Sequence, residues 1–194
     1  MPEPESSPLS QSAVEDAFRA IIRAIGEDPQ REGLIGTPAR IARMYGELFR
    51  GTTVDPRSVL SVEFDEDYHG LVTLADIAFS SMCEHHFLPF SGVAHVGYLA
   101  NGRVVGISKL ARLVDVLARR AQLQERLTDQ IADVLDDALH PSGVGVVVEA
   151  HHLCLEMRGA QKPGARLITM AWRGDLVAEP AQRSFLEVIR ATRD

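Results

Sequence analysis

Two short stretches of the chain, about seventy residues apart, hold both of its cysteines and four of its seven histidines. The first stretch is Ser81-Met82-Cys83-Glu84-His85-His86 and the second is His151-His152-Leu153-Cys154. Thiolate sulfur and imidazole nitrogen form the ligand mixture that Zn²⁺ prefers. A fold that brings the two stretches together would build a metal site, and this requirement constrains the topology more than any other feature of the sequence.

The spacing of residues within each stretch selects three candidate ligands. Cys83 and His86 have the Cys-x-x-His spacing that lets two side chains from one turn hold one ion. If the second stretch is a β-strand, His152 and Cys154 point to the same face, because side chains alternate along a strand. The predicted metal ligands are therefore Cys83, His86 and Cys154.

Three protein ligands leave a fourth position of a tetrahedral ion open, which is typical of a catalytic zinc that activates water. His85 and His152 would be unligated imidazoles beside the ion, suited to proton transfer at neutral pH. The alternative is that the cysteines are inert buried thiols and the histidines are hydrogen-bonded structure. A deaminase zinc site is excluded, because its later Pro-Cys-x-x-Cys is absent from this sequence.

Length and charge narrow the class of protein. The 194 residues suit one domain, and the net charge of −7 lacks the basic footprint of a nucleic-acid binder. Met1-Pro2-Glu3-Pro4-Glu5-Ser6 has no signal-peptide pattern, and no apolar run approaches the roughly 20 residues of a membrane span. We therefore expect a cytoplasmic protein that binds neither nucleic acid nor membrane, whose two cysteines are not joined in a disulfide.

Hydrophobic periodicity predicts an α+β fold, with an antiparallel sheet and helices packed on one face. The predicted division is a flexible tail at 1–11, a helical region at 12–58 and a catalytic domain at 59–194, forming one functional domain. Helices are expected from Ala13, from Thr37 as N-cap, over 108–120 and 124–139, and from Pro180. Strands are expected at 71–79, 92–99, 103–107, 145–157 and 166–172, with Asn101-Gly102 as the turn of a hairpin.

Basic side chains next to the metal motifs suggest an anion site. Ser108 and Lys109 lie at a predicted helix start, where free amides favour a phosphate, and Arg112 follows one turn later. Arg158 shares strand parity with Cys154 if the strand stays regular. The alternative is an ordinary solvated helix face. Glu125 is either a favourable first-turn carboxylate or one that accepts paired N–H donors from a planar base.

Four motifs, in this order, resemble the zinc-dependent GTP cyclohydrolase I family. They are Cys83-Glu84-His85-His86-Phe87-Leu88-Pro89-Phe90-Ser91-Gly92, Gly106-Ile107-Ser108-Lys109-Leu110-Ala111-Arg112, Gln124-Glu125-Arg126-Leu127-Thr128 and His152-Leu153-Cys154-Leu155-Glu156-Met157-Arg158-Gly159. The likeness runs from Thr37-Pro38-Ala39-Arg40 to the final helix.

The resemblance implies a tunnelling fold, in which sheets of several subunits close into a barrel, and a toroidal homodecamer with active sites between subunits. It implies that Cys83, His86 and Cys154 bind zinc and that His85 and His152 transfer protons. It further implies that Gln124 and Glu125 bind guanine, and that Ser108, Lys109, Arg112, Arg158 and, from a neighbouring subunit, Arg40 bind the triphosphate.

The implied reaction converts GTP and water to 7,8-dihydroneopterin triphosphate and formate, with zinc activating the water that attacks C8 of guanine. One stretch departs from the family pattern: Ile168-Thr169-Met170-Ala171-Trp172-Arg173-Gly174-Asp175-Leu176 replaces a Thr/Ser-rich strand followed by Gly-x-Phe. This change bears on assembly and pocket shape and leaves the metal chemistry intact. Three alternative hypotheses for the function are a non-catalytic homologue with a structural zinc, a paralogue in another pterin or deazapurine pathway, and a zinc nucleotide hydrolase that releases phosphate.

Overall fold

The structure, a computed structural model, describes residues 9–60 and 63–191. Its helices are α1 (Gln11–Ala24), α2 (Thr37–Leu48), α3 (Ile107–Ala118), α4 (Gln124–Leu139), α5 (Leu153–Glu156) and α6 (Glu179–Ala191). Its strands are β1 (Glu63–Asp65), β2 (Leu71–Cys83), β3 (Pro89–Leu99), β4 (Arg103–Val105), β5 (Ala121–Gln122), β6 (Gly143–His152) and β7 (Leu167–Gly174). Short 3₁₀ segments span Arg50–Thr53, Pro56–Leu60 and Asp175–Val177.

The two N-terminal helices pack on each other through their aromatic residues, with the rings of Phe18 and Tyr45 5.6 Å apart. The Ser10 hydroxyl caps α1 by accepting a hydrogen bond from the amide of Ala13. The predicted N-cap role of Thr37 is wrong, because Thr37 is the first helical residue and its hydroxyl donates to the carbonyl of Gly33. The predicted tail extends into 1–8, outside the described residues, and the division at 11 and 58 stays a prediction.

The main sheet has five strands in the order β5-β2-β3-β6-β7. Neighbours from β2 to β7 run antiparallel, whereas the two-residue β5 runs parallel to the end of β2. The predicted pairing of the 145–157 and 166–172 runs is confirmed by the ladder of β6 and β7. Because β3 pairs antiparallel with both β2 and β6, the end of β2, the start of β3 and the end of β6 lie at the same end of the sheet.

The predicted hairpin across Asn101-Gly102 forms a turn but not a pair between β3 and β4. Gly102 adopts a left-handed conformation with φ of +75°, and β4 then pairs with β1. Both sides of β3 are already occupied, because its residue Leu99 faces Leu71 of β2 and Gly143 of β6. The return strand therefore has no free edge on β3 and forms a separate two-stranded sheet.

Helices cover both faces of the main sheet. On one face α3 and α4 bury the main core, in which Val146 and Val148 of β6 pack with leucines and isoleucines of these helices. On the other face Val147 packs with Phe185 and Ile189 of α6. The α+β class is confirmed. The prediction that helices pack on one face holds for α3 and α4 and is wrong for α6, which packs on the other face. Among the described residues, no helix is both long and apolar enough to cross a bilayer.

Gly92 is needed where β3 meets β6, and its replacement is expected to destabilise the sheet. A Cβ at Gly92 would overlap the carbonyl oxygen of Glu149 and lie 2.7 Å from Cα of Ala150. We expect Gly92→Ala to lower the free energy of unfolding by about 1–3 kcal/mol, as overpacking does. Urea unfolding at one protein concentration measures the change. Gly46→Ala is the control, since its Cβ meets nothing within 4 Å and the change should stabilise helix α2 by about 0.5–1 kcal/mol.

Candidate metal centre and adjoining pocket

The Cys83 stretch forms the tight turn between β2 and β3. Cys83 is the last residue of β2, and its amide and carbonyl both bond within the turn, to the carbonyl of Leu88 at 3.0 Å and the amide of Phe87 at 2.9 Å. Phe87 has a φ of +50°, which turns the chain sharply. The sequence placed this motif just before a hairpin. In the structure the motif is itself the turn of one, so Cys83 and His86 are held by the hairpin geometry.

Cys154 reaches the same place by a different route from the one that the sequence suggested. The prediction of a strand through residue 157 is wrong, because β6 ends at His152 and residues Leu153–Glu156 form one helical turn. The last pair of the β3–β6 ladder is Phe90 with His152, and the preceding residue of β3 is Pro89, which has no amide hydrogen to extend the ladder. Strand parity therefore relates Cys154 neither to His152 nor to Arg158.

The three predicted ligands come together in the structure. The ligand atoms of Cys83, His86 and Cys154 all lie within 4.8 Å of one another. Around a tetrahedral zinc such atoms would lie about 3.5–3.8 Å apart, so small side-chain adjustments suffice. Two sulfurs and one imidazole nitrogen are chemically suited to zinc. Burial raises the pKa of the Cys154 thiol, and the neighbouring Cys83 raises it further, so a bound cation would relieve the cost of ionising two adjacent thiols.

A small cavity of about 180 Å³ opens beside these ligands. It is lined by Cys83, His85, Gln122, Leu123, Gln124, Glu125, His152, Cys154 and Leu167. The wall therefore includes both sulfur ligands, both histidines predicted to transfer protons, and the pair from the start of α4. Glu125 is exposed at this point, whereas the side chain of its neighbour Gln124 is buried.

The ring of His152 is held in the cavity by a stacking contact and a hydrogen bond. Its ring stacks on Phe90 with the centroids 4.5 Å apart and the planes 4° from parallel. Its Nε2 lies 2.8 Å from Oε1 of Gln124. Burial lowers the pKa of His152, and the charges of Glu125 and Glu156 oppose this effect. The imidazole is thus held neutral near neutral pH, the state in which it can accept a proton.

An ion pair that the sequence analysis did not identify ties the metal turn to α4. Two guanidinium nitrogens of Arg126 donate to the two carboxylate oxygens of Glu84 at 2.5 and 2.9 Å. The hydrogen bond from Arg126 lowers the pKa of Glu84. The amide of Glu84 also donates to the carbonyl of Gln122 at 3.0 Å. Glu84 directly follows Cys83, and Arg126 directly follows Glu125. The opposite charges of these two neighbours of site residues were the only sequence feature that could have suggested the ion pair.

The predicted phosphate-binding residues of α3 do not reach this cavity within one chain. Ser108 is not an N-cap, because α3 begins at Ile107 after Gly106, but Ser108 and Lys109 do lie in its first turn. The far end of α3 leads into β5, which pairs with the end of β2 that carries Cys83. At 1.5 Å per residue, Ser108 and Lys109 lie about 15 Å from that end along the helix. Arg112, one turn further along, does not line the cavity either.

The other two predicted phosphate contacts differ in position. Arg158 follows the Cys154 turn, and its positive charge acts to lower the pKa of Cys154 against the larger effect of burial. Arg40 is exposed on α2 and donates to the hydroxyl of Thr37 at 2.8 Å. Neither residue lines the cavity. One chain thus unites the candidate metal ligands with His85, His152, Gln124 and Glu125, and leaves the candidate anion-binding groups outside.

Fold and site together define an α+β protein with a candidate three-ligand zinc centre beside a small cavity. The model of the family described as GTP cyclohydrolase I matches residues 14–190. The GTP cyclohydrolase 1 of Dehalococcoides mccartyi is 52% identical over 185 residues, covering 94% of this chain and 98% of that protein. That of Mycobacterium leprae is 54% identical over 178 residues, covering 91% and 87%. The chain belongs to the GTP cyclohydrolase I family.

Among solved structures, the archaeosine synthase QueF-Like in the apo form aligns with a TM-score of 0.44 at 23% identity. The alignment covers 54% of this chain and 94% of that one.

Proposed function

We propose that this protein is a zinc-dependent GTP cyclohydrolase I, which converts GTP and water to 7,8-dihydroneopterin triphosphate and formate. One observation carries the proposal: in a chain of this family, the sulfur ligands of a Cys83, His86 and Cys154 centre line the same cavity as His85, His152 and Glu125. The cavity thus combines the groups needed for hydration of a ring carbon, for proton transfer and for recognition of a base.

Cys83, His86 and Cys154 would hold the zinc. When bound, the ion supplies Lewis-acid activation of a water molecule near neutral pH. The two turns that carry these ligands fix them before any ion binds, one in the β2–β3 hairpin and the other in α5. The carboxylate of Glu84, anchored by Arg126, keeps the first turn in place against the start of α4.

Glu125 is the group that we assign to recognition of the guanine edge. Its carboxylate is exposed at the cavity, and its backbone is fixed in the first turn of α4. A carboxylate so placed can accept two parallel hydrogen bonds from N1–H and the 2-amino group of guanine. Glu125 directly precedes Arg126, whose ion pair with Glu84 links the start of α4 to the metal turn.

His85 and His152 are the groups that we assign to proton transfer. Both line the cavity, His85 from the metal turn and His152 from the end of β6. Ring opening, loss of formate and closure of the pterin ring each need protons moved between oxygen and nitrogen atoms of the substrate. Two imidazoles carried by different elements can serve different steps, with neutral His152 as the base.

We further propose that the site is completed between subunits of a homo-oligomer, the decamer that the family resemblance implies. The cavity of one chain, about 180 Å³, is smaller than the roughly 300–1,000 Å³ of small-molecule sites. Ser108, Lys109 and Arg112 do not line it, so the cavity of one chain offers no cation from α3 to the triphosphate. Among the described residues β7 forms an outer edge of the sheet, and it exposes Ile168 and Met170 at 48% and 49%. A neighbouring chain on this edge would bring cations to the cavity, with Arg158 supplied by the chain itself and Arg40 by a further subunit.

The cytoplasm is the proposed compartment. Both cysteines are free thiols, and both belong to the candidate metal group. A reducing compartment keeps such thiols available to the ion.

The test of the proposed function is incubation of purified, zinc-loaded protein with GTP. We expect formate and, after oxidation, a fluorescent pterin in equal amounts, with no phosphate released. Protein stripped of metal by a chelator is the control and should form neither product. Phosphate release without formate would identify a different nucleotide hydrolase. Absence of all products from fully loaded protein would indicate a non-catalytic homologue with a structural zinc.

A further inference from the structure

We infer that Gln124 is a positioning residue, which holds His152 in one orientation and one tautomer, and that its side chain does not bind the guanine base. The inference deepens the proposed function and rests on it, because it assumes that His152 transfers protons during turnover. It departs from the family resemblance, which pairs Gln124 with Glu125 as guanine contacts. The burial and the hydrogen bonds of the Gln124 side chain support it.

The amide nitrogen of Gln124 donates its hydrogen bonds to backbone carbonyl groups. Only 1% of the residue is exposed, and Nε2 lies 3.0 Å from the carbonyl oxygen of Val148 and 3.0 Å from that of Leu167. Nε2 also lies 3.1 Å from the hydroxyl of Thr169. Carbonyl oxygens only accept hydrogen bonds, so two of them on one side require the NH₂ group there. The orientation of the amide is therefore fixed by chemistry, with Oε1 on the side of His152.

This orientation determines the tautomer of His152. Oε1 of Gln124 can only accept, so Nε2 of His152, 2.8 Å away, must carry a hydrogen and donate it. In the neutral ring the lone pair then lies on Nδ1, which forms no hydrogen bond within the part of the chain that the structure describes. The ring plane is fixed separately by its parallel contact with Phe90. Gln124 and Phe90 thus leave the imidazole one geometry, with Nδ1 as the basic atom.

A base contact from the same amide would disrupt this arrangement. If Gln124 turned toward guanine, the carbonyls of Val148 and Leu167 would lose a donor and His152 would lose its acceptor, all in a buried setting. The Glu125 side chain is exposed and lines the same cavity, so it can bind a substrate without breaking buried hydrogen bonds. The two adjacent residues at the start of α4 therefore have different tasks. Glu125 faces the substrate, and Gln124 supports the histidine behind it.

Steady-state kinetics of four variants test the assignment: Gln124→Met, His152→Ala, the double variant, and Thr169→Val. Methionine keeps the volume of Gln124 and removes both hydrogen-bonding groups. We expect Gln124→Met to lower kcat about 10–100-fold, as loss of a partner that orients a functional histidine does, with KM for GTP within about twofold of wild type. In the His152→Ala background the same substitution should change kcat by less than about twofold, because the group that it positions is gone.

Thr169→Val is the matched control. It removes a hydroxyl 3.1 Å from Nε2 of Gln124, but it leaves the two carbonyl acceptors and the bond to His152 in place. The amide keeps its orientation, so kcat should stay within about twofold of wild type. A loss as large as that of Gln124→Met would show that general disturbance of the buried network, and not the bond to His152, sets the rate, and would overturn the inference.

Solid-state ¹⁵N NMR of histidine-labelled protein gives a readout that does not depend on turnover. The signals of His152 are identified by their absence in His152→Ala, and we expect a protonated Nε2 with an unprotonated Nδ1. A protonated Nδ1 in wild type would overturn the inference, and this spectrum decides it even if Gln124→Met fails to fold. A tenfold rise in KM with unchanged kcat would restore Gln124 as a base contact. Additive losses in the double variant would show that Gln124 acts independently of His152 and would also overturn the inference. Inactive wild type would count against the proposed function, while active wild type with an unaffected Gln124→Met would refute only the positioning role.

Discussion

Cys154→Ala is expected to lose zinc and GTP turnover together. The variant keeps only Cys83 and His86, which come from one turn, and it removes the one ligand that joins β6 and α5 to the metal. Two ligands do not hold zinc in competition with water and a mild chelator. After dialysis against such a chelator we expect about one zinc per wild-type chain and less than about a tenth of that in the variant, with formate release reduced at least about 10³-fold. Elemental analysis and the formate assay on the same samples measure both quantities.

His151→Ala is the control for this experiment. His151 lies three residues before Cys154 at the same junction of β6 and α5, and its exposed ring contacts Glu156 at 3.2 Å. It lies outside the candidate metal group, so its replacement should leave zinc and turnover near wild-type levels. Stoichiometric zinc in Cys154→Ala would show that Cys154 is not a ligand. The argument for three protein ligands and an open fourth position for water would then fail.

The meeting of the two metal-binding stretches could be predicted from the sequence because it depends on residue chemistry. A chain with two cysteines, each beside histidines, has few other uses for them, and the structure brings the ligand atoms of Cys83, His86 and Cys154 within 4.8 Å of one another. The start of α4 at Gln124 was equally accessible, since an apolar stripe and a stop at Pro141 define that helix locally. The residue types of the ligands were sufficient to predict the metal group, and the local apolar pattern was sufficient to predict the start of α4.

The route by which Cys154 arrives could not be predicted, because it depends on pairing between distant strands. β6 stops at His152 where β3 begins with Pro89, and no property of the His151–Met157 run itself announces this end. The partner of β4 was missed for the same reason. A turn signal at Asn101-Gly102 specifies a reversal of the chain, but it does not show that both sides of β3 are already taken.

The different environments of the Gln124 and Glu125 side chains could not be predicted from the sequence either. Adjacent polar residues at a helix start look alike on paper, and only tertiary packing buries one side chain against the carbonyls of Val148 and Leu167 while exposing the other. The predicted phosphate contacts present a further difficulty, since Ser108 and Lys109 lie about 15 Å along α3 from the end of the helix that leads to the metal turn. Under the proposed function, their contribution depends on a neighbouring subunit.

His152→Ala is expected to keep its zinc and lose most of its turnover, the opposite separation from Cys154→Ala. His152 is outside the ligand group, but it lines the cavity, and burial lowers its pKa so that the neutral base is present near pH 7. A positioned general base contributes about 10²–10⁴-fold to the rate, so formate release should fall by that factor at unchanged zinc content. His69→Ala, an exposed histidine in the loop before β2 at the far end of that strand from Cys83, is the control and should retain the wild-type rate. If His152→Ala turned over near the wild-type rate, the stacking on Phe90 and the bond to Gln124 would be structural, and proton transfer would fall to His85 alone.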